Sequence, residues 1–359
     1  MINILRKFCV PNSRLPHVGF WIISIISLMI ASKIGFVHPP LEAFPSGGNV
    51  YNEKLLEYAG RCGSPLVSLP WRGNALPGGN WDLLAWDSLF LDRLARIADE
   101  RTGVLLHYLP SLEPALDSAA RLALRAVEHR AMARADFAIA TSQTVAEAVT
   151  AHWPGKPVFV CEPGIGEVFL RNRPRRTDRT VKLLTAAHLL PAKGHAQLLE
   201  ILERLQHLQW HWHIAGDCGV SPETARRLHN RAALAGLTER ITFHGALPQE
   251  AVAALMGDSD LLVCPSTFET YGMAVAEAAA GGLPVLSNRV GAAERLIQHG
   301  VTGFLATAGD WESFGGHLKV LLEDATLRAK FRKNLRDSAV RGWEKTFADF
   351  RAACDAMLR

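Results

Sequence analysis

At 359 residues the chain is long enough for two domains that each bury a core, and with 48% hydrophobic and 21% charged residues its composition is ordinary for a globular protein. Its net charge of +4 permits contact with an anionic ligand or membrane surface, but no aromatic residues interleave with basic runs, so nucleic acid is not expected as a partner. The cysteines (Cys9, Cys62, Cys161, Cys218, Cys264 and Cys354) include no CxxC pair, which excludes the common zinc and redox motifs and suits a reducing, cytoplasmic compartment.

Residues 1–32 read as an N-terminal extension. Its apolar run from Val18 to Ala31 follows Arg6, Lys7 and Arg14; at 14 residues it is short of the roughly 20 that span a bilayer. That length suits a signal-peptide core, but no A-x-A cleavage site follows. Three readings stand: an over-long start with Met29 as the true one, a membrane-associating segment giving peripheral contact at the inner face of the membrane, and a cleaved signal.

From Lys33 onward, strand-like apolar runs alternate with amphipathic helical ones. Residues 33–170 contain candidate strands at 33–38, 65–70, 81–87, 102–108, 136–142 and 157–163, with helices near 49–60, 88–100, 116–134 and 143–152. RNRPRRTDRT, residues 171–180, has five arginines and no apolar residue and reads as a linker, either a solvated connector or a basic edge facing an anionic ligand or membrane. Residues 181–325 repeat the alternation, with strands at 181–187, 210–216, 240–245, 260–266, 283–288 and 303–306. Residues 326–359 are helical, and Trp343, Phe347 and Phe350 recur at helical spacing as core-packing residues that also suit a helix clamped onto another domain. Continuous apolar strands separated by helices predict an α/β protein with two Rossmann-like, doubly wound parallel sheets facing across a cleft, and ligands in such sheets bind beyond the carboxyl ends of the strands.

Two strand ends carry chemistry. After DLLVCPS comes TFETYG and then an alanine-rich helix, so Glu269 lies at the cleft mouth and Glu277 about one turn into the helix. The first amides of that helix, near Tyr271, Gly272 and Met273, lack intrahelical partners and favour an anion. Two carboxylates, which accept hydrogen bonds only, suit a ligand rich in hydroxyls, such as a sugar or ribose. After VKLLTAA comes HLLPAKGH, which puts Lys193 at a strand-to-helix junction where a compact cation meets a phosphate.

Glu269-x7-Glu277 with Tyr271-Gly272 between, PAKGH (191–195), the 241–266 and 282–296 segments, PSGGNVYN (45–52) and ARADFAIATSQTVAEAV (133–149) together resemble the family 4 glycosyltransferases, over most of the chain from about Lys33. The resemblance implies the GT-B architecture, with the C-terminal helix crossing back to the first domain. It also implies retaining transfer of a sugar from a nucleoside-diphosphate sugar to an acceptor, whether glycan, lipid or small molecule, that the sequence does not name. Glu277 would hold the ribose hydroxyls. Glu269 would contact the donor sugar together with Thr270 and the amides of Tyr271, Gly272 and Met273. Lys193 would meet the departing diphosphate, Gly47 and Gly48 would form a glycine-rich first loop close to the phosphate or acceptor, and His107 would touch the sugar unless it is a core histidine or one that only supports the residues touching the ligand. No metal is implied, and no Asp-x-Asp motif is present to hold one.

The sequence departs from the family at His188, where an arginine usually contacts the diphosphate. Histidine lacks the guanidinium fork that binds phosphate bidentately. Weaker leaving-group stabilisation, compensation from the 171–179 arginines, and altered chemistry compete as explanations. Two rival functions remain: a GT-B hydrolase or epimerase of a nucleotide sugar, and a binding protein that has lost catalysis. A dehydrogenase does not fit, since the first strand is not followed by GxGxxG and an acid about 20 residues on. Trp71 and Trp81, flanking the 70–81 loop, are candidates for stacking on a sugar, with packing as the competing reading.

Overall fold

The structure, a computed structural model, describes residues 32–41, 46–73, 78–94, 101–170, 180–335 and 340–359. Residues 1–31, which carry the apolar run, and the arginine cluster at 171–179 lie outside the described residues.

The first half forms a parallel sheet of β1 (Ile34–His38), β2 (Leu66–Pro70), β3 (Leu83–Asp87), β4 (Thr102–Leu106), β5 (Phe137–Ala140) and β6 (Val158–Val160), in the order β2-β1-β3-β4-β5-β6. Its helices are α1 (Gly47–Arg61), α2 (Leu91–Leu94), α3 (Ser118–Arg134) and α4 (Gln143–His152). The central strands are buried on both faces: Ile34, Phe36, Leu105 and Ile139 point to one side, Val37, Val104 and Ala138 to the other. That explains why these strands read as unbroken apolar runs rather than alternating ones.

The second half forms a parallel sheet of β7 (Val181–Ala186), β8 (Trp210–Ala215), β9 (Ile241–Gly245), β10 (Leu261–Cys264), β11 (Val285–Asn288) and β12 (Gly303–Ala306), in the order β12-β11-β10-β7-β8-β9. Around it lie α5 (His195–Arg204), α6 (Pro222–Leu234), α7 (Gln249–Asp258), α8 (Met273–Ala280), α9 (Ala293–Leu296), α10 (Trp311–Glu323) and α11 (Ala325–Leu335). The chain winds outward from β7 in one direction and from β10 in the other. A crevice therefore opens between the loops that follow these two neighbours.

The helical tail divides. Phe331 of α11 packs in the core of the second sheet with Phe314 and Leu318, whereas α12 (Trp343–Leu358) returns to the first sheet. There Trp343, Phe347, Phe350, Ala353 and Cys354 join Ile34, Phe36, Tyr51 and Leu55 in one core, with Phe350 edge-on to Phe36 at 6.2 Å. Fully burying one such side chain contributes roughly 1.5–3 kcal/mol. The outward and returning crossings lie side by side. The Ile165 amide donates to the Arg341 carbonyl at 2.8 Å, and Arg341 Nε and Thr346 Oγ1 both donate to the Glu162 carbonyl. Among the described residues no helix is long and apolar enough to cross a membrane.

Candidate functional site

A cleft of about 620 Å³ lies between the carboxyl ends of the two sheets. Gly47, Gly48, His107, His188, Lys193, Glu269, Thr270, Tyr271, Gly272, Met273 and Glu277 all line it. Lys193 follows β7 and Glu269 follows β10, so the crevice between these adjacent strands brings together residues 76 apart in sequence. The turn that carries Lys193 requires glycine at 194: its φ is +71°, and a Cβ there would stand 2.1 Å from the Pro265 carbonyl oxygen after β10.

Glycines 47 and 48 are not a loop. They form the first turn of α1, capped by Ser46, whose Oγ accepts from the Asn49 amide at 3.2 Å. Serine is a strong N-cap and overrides the low helix propensity of two glycines at the helix start, where four amides lack intrahelical partners in any case. A methyl group on Gly47 would lie 3.4 Å from Met273 Sδ at the start of α8. The N-termini of α1 and α8 thus face each other across the cleft. The amides of Gly47, Gly48, Met273 and Ala274 have no hydrogen-bond partner among the described residues. Two positive helix-dipole ends and unpaired N–H groups make this meeting point suited to an anion.

Lys193 Nζ donates to Glu269 Oε1 at 2.7 Å. The sequence reading assigns these two side chains to different parts of a ligand; in the structure they hold each other. Burial pulls the Lys193 ammonium down, but the Glu269 carboxylate more than offsets this and keeps its pKa above the usual lysine value. Glu277 departs from its expected state. It is 8% exposed, its carboxyl group has no hydrogen-bond partner among the described residues, and burial pushes that carboxyl up to about 8. Burial thus favours the neutral acid at Glu277, where the sequence reading supposes a carboxylate.

His107 is no core histidine. Its Nε2 lies 3.0 Å from Asn52 Oδ1 and 3.3 Å from Asp87 Oδ2, and Asn52 Nδ2 donates to the same Asp87 oxygen at 2.6 Å. Asp87 is 1% exposed. Burial raises its pKa, but His107, the Leu89 amide and Asn52 together outweigh that and leave the carboxyl below its usual value. The sequence reading missed Asp87 and Asn52. The signals were there: Asp87 ends WDLLAWD at a strand's carboxyl end, and Asn52 sits four residues after Gly48, on the same helix face. A methyl on Gly48 would come within 3.2 Å of the His107 ring, so glycine lets α1 approach the ring closely.

Trp71 and Trp81 do not line the cleft. Trp71 packs edge-on to Trp86 at 5.8 Å and Phe90 at 5.0 Å, and Trp81 lies under the Lys33 ammonium, so both serve packing rather than sugar stacking. His188 does line the cleft, and its Nδ1 accepts from the Asp217 amide at 3.1 Å.

Residues 169–338 match the family model described as glycosyl transferases group 1. The chain is 27% identical over 312 residues to the D-inositol 3-phosphate glycosyltransferase of Stackebrandtia nassauensis, covering 79% of this chain and 70% of that protein. It spans 54% and 55% of the enzymes of the same name from Geodermatophilus obscurus and Corynebacterium efficiens. Among solved structures, sucrose-phosphate synthase from Thermosynechococcus elongatus superposes with a TM-score of 0.76 at 17% identity, over 90% of this chain and 98% of that one. Anabaena HepE in complex with UDP-glucose superposes with a TM-score of 0.72 at 20% identity, over 90% and 100%. At these identities the superpositions establish the shared two-domain fold.

Proposed function

We propose that this chain, a two-domain protein of GT-B architecture whose residues 169–338 match the group 1 glycosyl transferases, transfers a sugar from a nucleoside-diphosphate sugar to a hydroxyl-bearing acceptor with retention of configuration. The observation that carries this proposal is the convergence of two unpaired helix starts and Lys193 on one cleft that also holds Glu269, Glu277 and His107. The UDP-glucose bound to HepE, a structural neighbour, supports a nucleotide-sugar donor.

In this mechanism the bond between the anomeric carbon and the diphosphate oxygen breaks, and its electron pair leaves with the diphosphate. Negative charge then grows beside Lys193 and the α1 and α8 amides. Preorganised donors of this kind usually supply the largest catalytic contribution. The diphosphate competes with Glu269 for Lys193, which releases the Glu269 carboxylate to accept from sugar hydroxyls. His107, held by Asn52 and Asp87, contacts the same sugar, and Glu277 takes the ribose hydroxyls. The acceptor oxygen bonds the anomeric carbon on the face the diphosphate leaves, and its proton passes to the departing phosphate, so no separate general base is needed.

The reaction is proposed to need no metal, its charge stabilisation coming from Lys193 and the amides. We place it in the cytoplasm, consistent with the unpaired cysteines among the described residues, with peripheral membrane contact through the apolar run of residues 18–31. The test is a donor panel with product analysis, run with and without EDTA and with and without candidate acceptors. Transfer with retention that survives EDTA and drops at least a hundredfold in Lys193→Ala supports the proposal. Near wild-type transfer by Lys193→Ala would refute it, and donor hydrolysis in place of transfer would mark a hydrolase.

A further inference from the structure

The loop that carries Glu269, between β10 and α8, is held at both ends by the segment that follows β11. Among the described residues, the backbones of Phe268, Glu269 and Thr270 make no hydrogen bond. Their course is therefore set by the anchors on either side. On the α8 side the Ala292 amide donates to the Tyr271 carbonyl at 2.8 Å. Gly291, at φ +57°, presses against the same place: a Cβ there would stand 2.6 Å from the Tyr271 carbonyl oxygen and 3.0 Å from the Glu269 Cβ. On the β10 side the anchor is a side chain. Asn288 Nδ2 donates to the Pro265 carbonyl at 3.1 Å and to the Ser266 carbonyl at 3.0 Å. Directly after these carbonyls, the Thr267 amide and Oγ1 both donate to the Ala192 carbonyl, at 2.8 and 3.2 Å, beside Lys193.

Asn288 is fully buried at the carboxyl end of β11. Only the nitrogen of a side-chain amide donates, so the two carbonyls fix which way the group faces. Its Oδ1 is then left buried with no partner among the described residues. An unmet buried acceptor lowers stability. An apolar side chain of similar size would carry no such penalty, but it could not bind the two carbonyls.

We propose that Asn288 is a positioning residue for sugar transfer: its amide clamps the start of the Glu269 loop and, through Thr267, fixes that loop against the turn that carries Lys193. This rests on the donor reading above. With Gly291 and Ala292 holding the far end, residues 288–292 mould the loop, and Glu269 is aimed before any ligand arrives. Little order then has to be created on binding.

Two measurements test this. They use Asn288→Leu, which removes the donors and the unmet acceptor together, and Asn288→Ser, which keeps one hydroxyl donor. Residue-resolved amide hydrogen exchange reads the clamp without any ligand. The Thr267 amide should exchange at least about tenfold faster in Asn288→Leu than in wild type, and by less in Asn288→Ser, while the Leu262 amide, which donates to the Pro284 carbonyl, keeps its rate. An unchanged Thr267 rate, or equal acceleration at Leu262, overturns the clamp. Steady-state kinetics with a donor from the panel then reads its purpose. In Asn288→Leu, kcat should fall about ten- to a hundredfold, the scale of a misplaced group. The donor KM should stay within about threefold of wild type, because Glu277 and the helix amides, which take the ribose and phosphates, lie outside the clamped stretch. An unchanged kcat despite a freed Thr267, or a raised KM in place of a lowered kcat, overturns the positioning role, as does failure of both variants to fold. If wild-type protein turns over no donor in the panel, the donor reading falls, and the exchange rates alone decide whether Asn288 clamps the loop.

Discussion

Donor binding should expel a proton from Glu277. With its carboxyl pushed up to about 8 by burial, about nine in ten molecules of ligand-free protein should carry that proton at pH 7. Ribose hydroxyls donate to a carboxylate, so the complex favours the ionised form and draws the pKa back toward the ordinary glutamate range. A nucleotide sugar at pH 7 should then release about 0.9 protons per site, and its affinity at pH 7 should be about tenfold below its alkaline limit, near 1.4 kcal/mol. Affinity should rise about tenfold from pH 6 to 7 and flatten above pH 8. The diphosphate of a nucleotide sugar has no proton to lose in this range. Calorimetry in two buffers of different ionisation enthalpy at pH 7 reads the proton count directly. Glu277→Gln should abolish the release. The same protonation predicts a stability trend with a defined sign. The folded-state pKa lies above the unfolded one, so the contribution is fully present below about pH 4.5 and falls by roughly 1.4 kcal/mol per pH unit up to about pH 8. Glu277→Gln should remove that slope from the empty protein. A binding enthalpy independent of buffer, or a proton release that persists in Glu277→Gln, would refute the reasoning.

Asp87→Asn should lower kcat by one to two orders of magnitude, the scale of a misplaced catalytic group, while leaving nucleotide affinity near wild type, because Asp87 acts by orienting His107; steady-state kinetics separates the two, and an unchanged kcat would reject the positioning role. Gly48→Ala should cut turnover about tenfold by crowding the His107 ring, while its effect on Tm stays small because alanine favours helix; a large loss of Tm would mean the residue is structural instead. Trp343→Ala should cost about 3–5 kcal/mol by leaving a cavity under α12, measured by denaturant unfolding, and a loss under about 1 kcal/mol would show that α12 is not part of the core.

The sheets were legible because their central strands are buried on both faces and so appear as apolar runs, as in IGFVH or LLVC. Their strand order was not legible, because it depends on which side each crossover helix returns to. Glu269, Glu277 and Lys193 could be found from their places after strands and at a helix start. Their electrostatic states could not. The Lys193–Glu269 pair depends on two loops meeting across a crevice, and the protonation of Glu277 depends on burial by residues far away in the chain. Asp87 was overlooked because an acid at the end of a short strand has no local periodicity to mark it. Gly47 and Gly48 look like a loop in sequence and are a helix start because Ser46 caps them.

The paired crossings at Ile165 and Gly342 have a mechanical consequence. A single connecting segment would let one half of the molecule swing and twist freely about the other. Two segments bonded side by side act as a hinge leaf, resisting twist while allowing one bending motion. The Glu162–Arg295 ion pair lies beside that leaf and ties it to the second half. Because the two described crossing segments share this seam, any movement of one half against the other must bend both segments together rather than one alone.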